Sequence, residues 1–353
     1  MIRTRDRLYI DVVKGIAIIL MLWGHCIQYS AAEGFQAFDH GIYQFIYSFH
    51  MPLFMLISGY LFFFSFEKRD LKTLLVHRIQ GMLQPIVFAN ALNILLSSIP
   101  TYLLYRVIYI FDGALLVGMT NLWFLLCVLS SSIAVAVACK TTGNLWLRIL
   151  FLILGVFFVA LFPDNHYHLY MYPYFVAGFL AAMFRSRIPH GIQKCAWLSL
   201  PVFVVMLCFY KSRHLIYMTP VYTPDMDLTA LIQLNLFRWG IGFAGSLTVL
   251  LLTGKLFEWT VTQDRIPVIL KLVAKLGENS LAIYCLSISL LSYYLSKIFD
   301  RILLITGSNI FAENMLVYNF AFTPALTLAY CFGLYGAVQL LKKLKLHKLI
   351  FGR

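Results

Sequence analysis

Residues 8–29 read LYIDVVKGIAIILMLWGHCIQY, an almost continuous apolar run broken by Asp11, Lys14 and His25. At about 1.5 Å rise per residue, a helix of this length crosses the roughly 30 Å hydrocarbon core of a bilayer. An ionisable side chain in such a span costs about 2.5–3.5 kcal/mol on insertion scales, so each one is a functional candidate by default. At 100° per residue, Lys14 and His25 fall about 20° from the same face, and Asp11 lies one turn before Lys14 at a spacing where opposite charges pair. The stripe therefore runs from a charge pair to an imidazole about 16 Å further along the axis. A snorkelling Lys and a packed His would be the structural explanation of the same residues.

The rest of the chain repeats the pattern. Of 353 residues 61% are hydrophobic and only 12% charged, against about 25% charge in an ordinary soluble domain. Apolar runs at 42–64, 79–99, 122–139, 145–163, 168–185, 195–210, 228–252, 278–299 and 318–341 follow the first. The expected fold is all-α: a polytopic membrane protein of about ten transmembrane helices, forming one membrane-embedded domain over residues 1–353. Residues 100–121, with Arg106 and Asp112, read as an outer loop or re-entrant segment. The basic start before the first run suits a secretory leader, but Lys14 and His25 interrupt the run and no clear cleavage site follows, so a retained span is expected.

A formal net charge of +13 raises the question of nucleic acid. The cations instead cluster in alternate connections between apolar runs: Arg3, Arg5 and Arg7; Lys68, Arg69, Lys72 and Arg78; Lys140 and Arg148; Arg185, Arg187 and Lys194; then Lys255 onward and the tail. The opposite connections hold only Arg106, Lys211, Arg213 and Arg301. That asymmetry predicts both termini in the cytoplasm of a multi-pass cell-membrane protein, with lipid rather than nucleic acid as the surrounding partner. Seven cysteines without a C-x-x-C pair read as small hydrophobes between helices. Asp164, His166 and His168 give only a weak metal pattern, and no metal is expected.

A second block lies in the next run: Phe49-His50-Met51-Pro52-Leu53-Phe54, then Ser58-Gly59-Tyr60. Pro52 interrupts the helical hydrogen bonding beside His50, and His25 and His50 flank the same outer turn, so a hairpin sets both at similar depth. Asn121-Leu122-Trp123-Phe124-Leu125 opens the fourth run, where Trp123 also suits an interfacial anchor. Arg238 lies well inside the eighth run, where only a partner or a polar cavity makes it tolerable. Gly277-Glu278-Asn279-Ser280, with Tyr284 a turn later, opens the ninth; Asn279 and Ser280 also suit helix starts.

Together these blocks resemble the acyltransferase 3 family of membrane-bound O-acyltransferases, over most of the chain. The resemblance rests on Asp11…Lys14-Gly15…Gly24-His25, on Phe49-His50-Met51-Pro52-Leu53-Phe54 with Ser58-Gly59-Tyr60, on Trp123-Phe124-Leu125, and on Gly277…Ser280…Ile283-Tyr284. It implies transfer of an acyl group, usually acetyl from cytoplasmic acetyl-CoA, to a hydroxyl of an envelope polysaccharide or lipid-linked sugar, in the branch without an added esterase-like domain. Lys14 stands where many members have Arg, and Cys285-Leu286-Ser287 occupies the place of a late His in others, so that His has no counterpart here. Such chemistry needs a base near neutral pKa and donors for an oxyanion. His25 is then expected to act as base or transient acyl carrier, and His50 to orient it or polarise the thioester carbonyl. Lys14 and Arg78 would hold the CoA phosphates, and Asp11, Trp123, Arg238, Asn279, Ser280 and Tyr284 would line the substrate cavity. The alternative is a transporter or exporter whose intramembrane His and Arg form a path for a sugar or small anion.

Overall fold

The computed structural model describes residues 4–30, 37–98, 122–185, 196–222, 226–261, 266–288 and 314–351. The expected re-entrant segment at 100–121 lies outside these, as does the later part of the ninth run. Among the described residues the chain is helical, without strands. In order, the helices are α1 (Thr4–Ser30), α2 (Gly41–Lys68), α3 (Leu71–Ser98), α4 (Trp123–Lys140), α5 (Leu145–Val159), α6 (Asn165–Met183), α7 (Ser199–Phe209) and α8 (Leu228–Thr260). They continue with α9 (Val268–Glu278), α10 (280–288), α11 (Met315–Lys343) and α12 (Leu346–Phe351).

Each expected apolar run falls mainly on helix where it is described, although residues such as 160–163 and Tyr210 lie in turns or connections. By length and composition, α1, α2, α4, α8 and α11 are long and apolar enough to cross a membrane, and α5 and α7 are shorter apolar helices. Large apolar side chains such as Trp146, Phe157 and Leu161 on and beside α5 stay exposed, as lipid-facing groups do. One feature of α11 escapes sequence reading: residues Tyr318–Phe322 widen into a π-helical turn.

Lipid tails are as apolar as leucine, so membrane helices are held by close packing and polar contacts rather than by hydrophobic burial. Two glycine crossings supply that packing. Gly59 of α2 lies against the Phe175 carbonyl of α6, and Gly178 of α6 lies reciprocally against the Leu56 carbonyl of α2. At the second crossing Gly15 of α1 meets the Val273 carbonyl of α9, and Gly277 meets the Asp11 carbonyl of α1. At each of the four positions a Cβ would overlap backbone atoms, which move only with the whole helix. Around these crossings the interior is filled from α1, α2, α4 and α6, with Leu22, Phe62, Phe175 and Phe179 fully buried.

Replacing Gly178 with Val should cost about 3 kcal/mol or more, since overpacking here cannot be relieved by a rotamer change. Gly333→Ala, in α11 where an added Cβ meets nothing within 4 Å, should be neutral or stabilise by up to about 1 kcal/mol. Thermal unfolding of the two variants in detergent, alongside the wild type, reads the contrast.

Candidate active site

The apolar stripe of α1 places Lys14, Ile18, Met21 and His25 at successive spacings of four, three and four residues, so all share one face. That face lines two cavities. The larger, about 550 Å³, is bounded by Lys14, Ile18 and Met21 of α1, the Met51–Ser65 face of α2, Arg69, His77 and Arg78 around the start of α3, and Ser280 and Tyr284 of α10. The smaller, about 270 Å³, is bounded by Met21 and His25, by Tyr43, Tyr47, His50 and Met51 of α2, and by Trp123, Tyr167, Tyr217 and Tyr284. We refer to them as the basic and the aromatic cavity. Met21, Met51 and Tyr284 belong to both walls.

The basic cavity is electropositive, with Lys14, Arg69, His77 and Arg78 facing Glu278. Asp11 fixes the Lys14 ammonium at 2.7 Å, as the i, i+3 spacing predicts. Arg7 extends this cluster, 3.9 Å from Asp11 and 4.0 Å from Glu278. The Arg78 guanidinium lies 4.6 Å above the Phe62 ring, a cation–π contact that holds a charge in place without neutralising it.

In the aromatic cavity the two imidazoles are brought together around Tyr47, whose ring centre is 4.7 Å from that of His50 and 6.5 Å from that of His25. His25 also stacks on Tyr29 at 5.7 Å, and its Nδ1 is buried without a hydrogen-bond partner among the described residues. His50 is almost fully buried, and its Nδ1–H donates to the Ile46 carbonyl at 2.8 Å. A carbonyl only accepts, so this bond selects the tautomer and leaves Nε2 as the ring's acceptor. Trp123 stacks on Tyr167 at 4.5 Å, and Tyr217 packs its edge against Trp123 and Tyr47.

Three expected cavity residues lie elsewhere. Asp11 lines neither cavity and acts on the basic one only through Lys14. Asn279 donates to the Lys275 carbonyl at 2.7 Å and accepts from Lys342 Nζ at 2.6 Å, which ties the start of α10 to α11. Arg238 is 1% exposed and lines neither cavity. Its guanidinium donates to Asn235 Oδ1 and to the carbonyls of Arg213, His214, Leu215 and Thr219, at 2.7–3.2 Å. The polar environment that makes this cation tolerable is thus the backbone of the connection between α7 and α8. By fixing that connection Arg238 sets Tyr217 against Trp123 and Tyr47. Arg69, His77, Tyr47 and Tyr217 also line the two cavities, beyond the residues the sequence points to; in sequence Arg69 reads as a charge in a connection, and Tyr217 sits in a loop. In the weak metal pattern, His168 Nδ1 lies 2.6 Å from Ser130 Oγ and its ring stacks on Phe162.

Comparison with known proteins fits the geometry. A family model described as "Acyltransferase domain" matches residues 7–338. A nodulation protein, NolL, of Mesorhizobium japonicum is 30% identical over 202 residues, which are 56% of this chain and 52% of that protein. Nodulation protein NolL of Sinorhizobium fredii is 50% identical over 54 residues, 14% of each chain. The matches therefore span about half the length of these curated relatives or less. No solved structure matches the chain.

Burial and the neighbouring Arg213 push the His214 imidazole down to about 4 in the α7–α8 connection, so it is neutral at pH 7 and accepts the Lys211 N–H at 2.8 Å. Its folded value lies below the ordinary 6.5, so its contribution is intact above about pH 6.5 and is lost as pH falls through about 4. Amide protection factors in 211–219, taken against the intrinsic exchange rate at each pH, should fall over that interval. Arg238→Met should lower them at every pH, because it removes the side-chain hydrogen bonds to the 213–219 backbone and leaves the buried His214 carbonyl without its guanidinium donor, at a cost of about 1–3 kcal/mol.

Proposed function

The chain belongs to the acyltransferase 3 family, and from that premise we propose that it is a membrane acyltransferase that moves an acetyl group from cytoplasmic acetyl-CoA to a hydroxyl of a cell-envelope polysaccharide or lipid-linked sugar. The observation that carries this reading is the pairing of the two cavities. One is rimmed by cations that suit phosphates, the other holds two imidazoles, and they meet on the same faces of α1, α2 and α10. In this reading the chain crosses the cell membrane about ten times with both termini cytoplasmic, so that the basic cavity opens to the cytoplasm.

Lys14, Arg69 and Arg78 bind the CoA phosphates by charge-assisted bonds. The thioester arm extends along α1 toward His25. As the acceptor oxygen attacks the thioester carbon, its proton passes to an imidazole nitrogen; the new C–O bond forms and the C–S bond breaks. The CoA thiolate then takes the proton back from the imidazolium. His25 is the base, and His50, with its Nδ1–H committed to Ile46, presents Nε2 as a second acceptor that orients or relays the proton. In this tautomer His50 does not donate to the thioester carbonyl. The hydroxyls of Tyr47 and Tyr284 supply donors for the oxyanion. Aromatic faces such as Trp123 and Tyr217 offer the flat apolar surfaces on which a sugar ring packs.

Membranes containing the protein, incubated with acetyl-CoA labelled in the acetyl group, should place label on envelope glycan. His25→Ala and His50→Ala should each reduce this by about 10²–10⁴-fold at equal protein level. Lys14→Ala should raise the KM for acetyl-CoA at least tenfold. Label that crosses the membrane as free acetate or sugar, with none on glycan, would instead support a transporter.

A further inference from the structure

The three residues common to both cavities occupy the same level on their helices. Along α1, Lys14 and Ile18 face the basic cavity alone, Met21 faces both, and His25 faces the aromatic cavity alone. Along α2, which runs the opposite way, Tyr47 and His50 face the aromatic cavity, Met51 faces both, and Phe54 and Ser58 face the basic one. Along α10, Ser280 and Leu281 face the basic cavity, Tyr284 faces both, and Ser287 faces the aromatic one. On each of three helices the change of cavity thus falls at one residue, and Met21, Met51 and Tyr284 together border both spaces.

All three are buried, Met21 2%, Met51 6% and Tyr284 7% exposed. Tyr284 is braced edge-on by Phe124 at 6.0 Å. Phe124 is itself braced by Phe54. Each methionine offers an unbranched thioether with several rotatable bonds, which yields to a slim group and resists a bulky one.

We propose that the two cavities join at a waist of Met21, Met51 and Tyr284 and that these three select the acyl group by length, acting as specificity-determining residues. This rests on the acyl-CoA reading above, in which the donor's phosphates stay with Lys14, Arg69 and Arg78 while its acyl carbon must reach the imidazoles. The acyl end therefore passes the waist on every turnover. A two-carbon acyl group passes it; each further methylene must displace a methionine side chain from buried packing. The selection acts before the C–S bond breaks, so it governs which thioester is consumed and leaves the acceptor's identity untouched.

The test uses membranes carrying wild type, Met51→Ala, Met21→Ala and Met51→Leu, each given acetyl-, butyryl- or hexanoyl-CoA labelled in the acyl group. Label on envelope glycan is read against the amount of folded protein. Wild type should favour acetyl, and either Ala variant should raise the hexanoyl-to-acetyl ratio of kcat/KM at least tenfold. Met51→Leu, which keeps the volume, should keep the wild-type ratio. The ratio is internal to each preparation, so partial loss of folded protein leaves it readable. An unchanged ratio in both Ala variants, with wild type active on acetyl-CoA, would overturn the waist as selector while leaving the acyltransferase reading intact. Wild type inactive with all three thioesters would overturn the reading on which the selector rests.

Discussion

Contact between backbones at glycine governs this structure. In water a helix pair is held by the apolar area it buries, but in hydrocarbon that term vanishes, and surfaces that interlock closely are what remain. Gly59 and Gly178 set the separation of α2 and α6; Gly15 and Gly277 set that of α1 and α9. The consequences reach the passage, because α1 and α2 are two of its walls and α10 continues directly from α9. Gly15 follows Lys14 and Gly59 follows Ser58 in the sequence. In each pair one residue packs against a neighbouring helix while the other lines the basic cavity. The glycines of the Lys14-Gly15 and Ser58-Gly59 blocks are thus architectural, and their neighbours face the cavity.

The passage separates two kinds of electrostatics along one axis. Cations are placed at one end, where Asp11 pairs with Lys14 and the Phe62 ring supports Arg78. Neutral hydrogen-bonding groups dominate the other end, where His50 is oriented by a backbone carbonyl and His25 keeps a nitrogen unpaired among the described residues. A buried polar atom without a partner is costly in a merely structural site, and functional sites are where such costs are retained. Arg238 shows the opposite economy. Its charge is spread over backbone carbonyls of the α7–α8 connection, so the cation and the irregular loop stabilise one another.

Much of the fold was legible in sequence, because bilayer thickness turns span length into a one-dimensional property and 3.6-residue periodicity fixes which residues of one helix share a face. The apolar runs, the Asp11–Lys14 pair and the common stripe of Lys14 and His25 all follow from those two rules. So did the suspicion attached to Arg238, although its role lay in the loop between α7 and α8. Less legible were Arg69 and His77, whose place in the basic cavity depends on how α3 leans on α2, and Tyr47, whose aromatic ring is unremarkable in a chain with 21 Tyr and 30 Phe.

By itself, then, the sequence determined that the chain is helical, that its helices suit hydrocarbon, and that α1 bears a cation and an imidazole on one face. Tertiary structure alone decided that the imidazoles of α1 and α2 share a chamber, that Arg238 serves a loop, and that Met21, Met51 and Tyr284 line both cavities. The physical reason is range. Span length and periodicity arise from bonds between residues a few positions apart, whereas a cavity wall is the sum of faces from helices hundreds of residues apart, whose mutual rotation is set by the glycine crossings between them.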